Sequence, residues 1–146
     1  MTEEKKRKPI LCVDFDGVIH SYSSGWQGVE TIADPPVPGA LKWLWKATEW
    51  FDVQIYSSRS VDNAGIAAMM VWLRSFARHE WGDDDFAVQF VSALKFPSQK
   101  PKAFLTIDDR CLCFGGSWEE VGEPHELLDF KPWNKRPRDD KPRNPA

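Results

Sequence analysis

The stretch from Ile10 to Val18 constrains this chain more than any other. Ile10, Leu11, Cys12 and Val13 form a continuous apolar run, which reads as a buried strand. That first strand is placed at 10–15, and the run breaks off abruptly in Asp14, Phe15, Asp16 and Gly17. Alternate side chains share a face in extended backbone, so Asp14 and Asp16 fall on one side and Phe15 on the other. Gly17 lets the chain turn sharply where a side chain would obstruct it. Two carboxylates converging at the C-terminal end of a buried strand repel each other. A divalent cation is the usual way to offset that repulsion, and such strand ends are where open α/β sheets bind ligands.

An Asp-rich turn closing a strand would account for this run by itself. Two further runs weaken that account. Val53 to Tyr56, apolar but for Gln54, ends in Ser57, Ser58 and Arg59, while Ala103 to Ile107 ends in Asp108, Asp109 and Arg110. Turn chemistry does not explain why three strands should each stop at residues suited to phosphate or metal.

In their order and spacing these motifs resemble those of the haloacid-dehalogenase-like (HAD) hydrolases. Asp14 to Val18 looks like the first motif and Ser57, at the end of a strand, like the second. Lys100 followed by Pro101 fits the third and the acidic pair Asp108 and Asp109 the fourth, so the matched region runs from about Ile10 to Arg110. Alternating strands and helices imply an α/β fold with a mostly parallel central sheet and helices on both faces. The resemblance sharpens this to a HAD-like Rossmannoid core. His20 to Gly28, rich in Ser and Gly, then corresponds to the mobile squiggle and flap over the site. The intervals from Gly17 to the first helix and from Arg59 to Lys100 are too short for a large cap domain, so an open, minimal-cap (C0-type) site is expected.

Phosphoryl transfer needs an in-line nucleophile, a proton donor for the leaving oxygen and positive charge around the other oxygens. Asp14 suits the nucleophile, because carboxylates form aspartyl-phosphate intermediates. Asp16 suits general acid and base, and the resemblance implies that its backbone carbonyl also ligates the metal. Asp14, Asp16, Asp108 and Asp109 are thus the expected metal set, and hard oxygen ligands point to Mg2+. Four aspartates are balanced by Mg2+, one lysine and one arginine, whereas without metal the site would repel a phosphate. Ser57 is expected to hold phosphate oxygens rather than merely cap a helix, with Lys100 preferred over Lys102 as the motif-three lysine. Ser58, Arg59 and His20 are the expected substrate contacts. Ser57-x-Arg59 is similar to a pattern in polynucleotide 3′-phosphatases and some nucleotidases of the superfamily. His20, Tyr22 and Trp26 could stack on a base or ring, or anchor the loop to the core. Arg110 is equally open to a structural or a functional role.

The rest of the chain reads as one domain over 10–130, preceded by a charged leader at 1–9 and followed by a disordered tail at 131–146. At 146 residues it can bury ~68–70% of its unfolded surface. A helix is expected from about Ala40 to Trp50, with Leu41, Leu44, Trp45 and Thr48 on one stripe. A second, capped by Asp62 or Ser60, should run to about His79 with Ile66, Met69, Met70, Leu73, Phe76 and Ala77 as core positions. Gly82 to Asp85 reads as a surface turn and Phe86 to Val91 as another strand. Eight tryptophans and nine phenylalanines should mostly fill the core. Cys12, Cys111 and Cys113 read as buried or half-buried thiols, since no other ligands complete a soft-metal site. His79 and His125 have no companions and read as surface residues. A net charge of −3 argues against a basic nucleic-acid-binding surface, and no apolar segment is long enough to span a membrane.

The expected protein is therefore a cytoplasmic, Mg2+-dependent phosphomonoesterase working through Asp14. The expected partner is a phosphorylated small molecule or a nucleic-acid terminus, with no membrane and no obligate protein partner. Phosphotransfer to another acceptor, sugar-phosphate hydrolysis and phospholigand binding without turnover are the rivals. Retention of both Asp14 and Asp16 argues against the last.

Overall fold

The computed structural model describes residues 7–136, so most of the expected leader and the tail beyond residue 136 lie outside the described residues. In chain order the elements are β1 (Ile10–Val13), α1 (Ala40–Ala47), β2 (Asp52–Ile55), α2 (Asn63–Trp81), α3 (Asp84–Ser92) and β3 (Leu105–Ile107). The strands form a parallel sheet in the order β2-β1-β3, giving a small open α/β fold.

Register is what builds the site. Val13 lies level with Ile55 on one side and Ile107 on the other, so the next residues, Asp14, Tyr56 and Asp108, leave the sheet at one height. Pairing continues just past the strand ends, with the Asp14 amide donating to the Ile107 carbonyl (2.9 Å) and that of Tyr56 to the Val13 carbonyl (3.1 Å).

Leu11, Val13, Phe15, Val53 and Ile55 form one apolar cluster with Leu41 and Leu44 of α1, Met69 and Leu73 of α2, and Phe90 of α3. Burying each such side chain contributes about 1.5–3 kcal/mol. The expectation of helices on both faces is not met among the described residues. The links from β1 to β2 and from β2 to Lys95 step across the sheet in the same direction, so right-handed crossovers place all three helices on one face. Cys12 and Gln54 point the other way, toward a face that the coil carrying Lys100 adjoins.

The expected strand at Phe86–Val91 is instead the body of α3. Ala87, Phe90 and Val91 are buried at helical spacing, and Phe86 and Phe90 pack against Trp45 and Trp81. Asp83 starts the helix by accepting the Phe86 amide (3.2 Å), and Asp84 and Asp85 suit its positive end. The supposed turn at Gly82–Asp85 is thus a helix junction, in which Gly82 (φ 68°) and the extended Asp83 break the path. Lys95 takes the place beside β2 through backbone bonds to Val53 and Ile55.

The other helices follow their patterns. Leu41 and Leu44 are buried in α1, which stops at Thr48. Asp62 caps α2 through the Ala64 amide (2.8 Å), and Met69, Leu73 and Ala77 are buried, although Met70 is exposed. Tryptophan is less a core residue than its abundance suggested: Trp72 is buried, whereas Trp26, Trp43, Trp50 and Trp118 are exposed. Cys12 is buried, but Cys111 and Cys113 are exposed, contrary to expectation. Among the described residues no helix is long and apolar enough to cross a membrane.

Candidate functional site

The level strand ends bring Asp14 from β1 together with Asp108 and Asp109 from β3, each offering a carboxylate oxygen within 4.8 Å of the others. Gly17, at φ 82°, turns the chain directly against this group. A Cβ at that position would run into the Asp109 carboxylate. Asp14 accepts the Phe15 amide (2.8 Å) and Asp108 the Arg110 amide (2.8 Å), which fixes both side chains.

The electrostatics of this trio are unfavourable without a cation. Burial, together with the charges of Asp108 and Asp109, pushes Asp14 up to about 8 against the opposing pull of the Phe15 amide. Burial, with the charge of Asp108 adding to it, also raises Asp109. All the donors are hard carboxylate oxygens, with no sulfur or imidazole among them. That donor set fits Mg2+, and a divalent cation would let all three ionise together.

Beside the trio lies a cleft of about 150 Å3, lined by Asp14, Asp108, Ser57, Ser58, Lys100 and Cys12 among others. At the density of liquid water this is room for about five waters, the scale of a single phosphoryl group. Larger hollows of about 700 Å3 along α2 and 440 Å3 beside α1 are mainly apolar and include none of these aspartates. Lys100 lines the cleft and Lys102 does not.

The side chain of Asp16 is not part of the trio. Arg59 Nε donates to both of its carboxylate oxygens (2.9 and 3.2 Å), and His20 Nδ1 lies 2.8 Å from one of them. His20 Nε2 accepts the Asp34 amide (3.1 Å), which leaves the ring hydrogen on Nδ1, facing Asp16. Ser24 donates to Asp34 through both its amide (2.8 Å) and its hydroxyl (2.6 Å), and the Trp72 indole donates to the Asp34 carbonyl (3.1 Å). The two Ser24 bonds hold the Asp34 carboxyl below its usual range, with the Ser24 hydroxyl the first cause.

Arg59 and His20 are therefore not placed as the sequence suggested. Both are fully buried. Arg59 Nη1 donates to the carbonyls of Gly28 (2.9 Å) and Val29 (2.8 Å), while Trp26 lies over the guanidinium at 4.7 Å. A phosphate-gripping fork would need the open surface, and this arginine instead ties Asp16 to the loop above it. Ser57 is buried on the cleft wall, but its hydroxyl accepts the Arg59 amide (3.0 Å) and faces the Met69 sulfur (3.7 Å). The capping role, set aside on sequence grounds, is the one seen. Ser58, which is exposed, is the serine on the open side of the cleft.

Sequence reasoning missed one contact altogether. Trp133, inside the expected tail, donates its indole N–H to the Gly17 carbonyl (2.7 Å), and its neighbour Pro132 is buried. An aromatic residue in an otherwise polar segment was the available signal. Tyr22, the one described non-glycine residue at positive φ (61°), left no such signal.

Compared with models of protein families, with curated proteins and with solved structures, the chain matches none. The functional reading accordingly rests on the geometry of the site.

Proposed function

We propose that the protein is a Mg2+-dependent phosphomonoesterase that works through an aspartyl-phosphate on Asp14, in the manner of the HAD-like hydrolases its motifs resemble. The observation that carries this reading is the convergence of Asp14, Asp108 and Asp109 at level strand ends beside a phosphoryl-sized cleft containing Lys100. On this reading the parallel sheet is a HAD-type Rossmannoid core without a large cap. Three free cysteines fit a reducing cytoplasm.

Asp14, Asp108 and Asp109 would hold Mg2+, which supplies positive charge against the phosphoryl oxygens when bound. An Asp14 oxygen attacks phosphorus as the bond to the leaving oxygen breaks, and water then cleaves the acyl phosphate. Asp16 gives a proton to the leaving oxygen and takes one back from that water. His20 lies behind Asp16 and donates its Nδ1 hydrogen to the carboxylate; with Nε2 committed to the Asp34 amide it keeps that hydrogen and orients Asp16, whose own proton comes from solvent. Lys100 offsets phosphoryl charge from the cleft wall, and Ser58 contributes a hydroxyl.

A nucleotide or a polynucleotide phosphate end remains the leading substrate. With Arg59 buried, Ser57-x-Arg59 no longer supports it; the half-exposed Trp26 ring, on which a base can stack, does. A second reading, phospholigand binding without turnover, is favoured by the engagement of both Asp16 oxygens by Arg59. Incubation with p-nitrophenyl phosphate and Mg2+, wild type against D14N, separates the two. Turnover abolished by D14N supports hydrolysis. Turnover unaffected by D14N removes Asp14 as nucleophile, and no turnover on p-nitrophenyl phosphate, nucleotides or phosphorylated oligonucleotides favours the binder.

A further inference from the structure

From Asp109 the chain runs out through 110–132, mostly exposed coil and short 3-10 turns, and comes back with Trp133. Both arms of this excursion end on Gly17. Asp109 packs its carboxylate against the Gly17 Cα, and Trp133 donates to the Gly17 carbonyl at 2.7 Å. The Gly17 amide is already committed to the His20 carbonyl (2.8 Å). Each backbone polar atom of Gly17 therefore has a fixed partner, and one of the two is supplied from 116 positions along the chain.

We infer that Trp133 is a positioning residue for the carboxylate site: its indole N–H holds the Gly17 peptide and so sets the spacing between the Asp14–Gly17 turn and Asp109. This rests on reading Asp14, Asp108 and Asp109 as metal ligands. The Gly17 carbonyl belongs to the peptide joining Gly17 to Val18, one residue after Asp16, and the Asp109 carboxylate abuts Gly17 itself, with no other side chain between them to absorb a shift. A turn released at its carbonyl moves relative to the carboxylate it touches. The neighbouring Asn134 makes only a long contact to the Ser21 carbonyl (3.4 Å), with its Oδ1 buried and unpaired, so Trp133 is the anchor.

The test is Mg2+ binding by calorimetry on the full chain, comparing wild type, W133F and W118F, together with hydrogen exchange of the Trp133 indole N–H in the wild type. W133F keeps a ring and loses the donor, so Mg2+ affinity should fall about tenfold, the usual effect of losing a group that orients metal ligands. W118F, altered at an exposed site in the same excursion, should bind as wild type does. The indole N–H should exchange slowly and more slowly still with Mg2+. W133F binding Mg2+ like the wild type overturns this inference alone. Wild type that takes up no Mg2+ overturns the metal reading and this inference with it. Should W133F fail to fold, the wild-type indole decides: exchange at the free rate, unaffected by Mg2+, overturns the inference.

Discussion

Gly17 and Asp109 are in such close contact that even a methyl group on the glycine would strike the aspartate's carboxylate. The contact joins the turn after β1 to the end of β3, elements far apart in sequence that meet only because the strands end level. It also explains why the turn needs glycine twice over, for its left-handed backbone and for its missing side chain.

G17A should therefore damage the site more than the fold. The backbone penalty for alanine at positive φ is about 1–2 kcal/mol, and the carboxylate must also move away. Mg2+ affinity and p-nitrophenyl phosphatase activity should both fall by at least about tenfold. Calorimetry alongside thermal unfolding checks this; a variant less stable but unchanged in Mg2+ binding would contradict it.

The metal-free protein should lose stability as pH rises. Asp14 is raised in the fold to about 8, so between the ordinary carboxylate range and pH 8 the folded chain holds a proton that the unfolded chain has released. Its contribution is favourable at the acid end of that window and is lost progressively as pH rises through it. Asp109, also raised, acts in the same direction. The melting temperature in EDTA should decline from about pH 5 to pH 8. D14N should flatten the decline and raise the pH 8 value by several degrees. Mg2+ should bind more tightly as pH rises, because protons must leave the ligands first.

Removing Arg59 should be costly to the fold. R59M would leave the Asp16 carboxylate largely buried without its ion pair, and the carbonyls of Gly28 and Val29 without their donor. Breaking a buried pair from one side costs about 3–5 kcal/mol. Urea unfolding of R59M and R59K against wild type measures it, with the lysine variant intermediate because one ammonium cannot match the guanidinium's fork.

Lys100 and Lys102 should separate cleanly. K100A removes the cation lining the cleft, and kcat/KM for p-nitrophenyl phosphate should fall about a hundredfold, in the range for lost electrostatic stabilisation. K102A should leave it within about twofold. Steady-state kinetics at saturating Mg2+ makes the comparison, and an effect of equal size at both positions would remove Lys100 from the site.

What was legible in the sequence was whatever one strand carries on its own. The apolar run and acidic pair at Ile10–Asp16 marked β1 and its end, and Asp108 and Asp109 marked the end of β3. Phe86 to Val91 was misread because a short apolar run does not declare its period, and the decisive cap, Asp83, sat in a triple acid that looked merely solvated. Arg59 and His20 were misassigned because burial is a tertiary property: nothing in Ser57-Ser58-Arg59 reveals that the loop at 26–29 folds over the guanidinium. The single-faced helical layer was hidden for a different reason. It depends on the coil between Lys95 and β3 lacking a helix, which the alternation of elements does not foretell.

Arg59 also decides where traffic can pass. Because one guanidinium bonds to Asp16 and to the carbonyls of Gly28 and Val29 at once, the segment above it is latched shut, and swinging it aside would strand a buried cation. The doorway is then the open side of the cleft, lined by Ser58 and Lys100. A bulky plug at the exposed serine lining it, S58W, should bar a polymer end from reaching Asp14, while the same plug at Ser23, which does not line the cleft, should leave passage free.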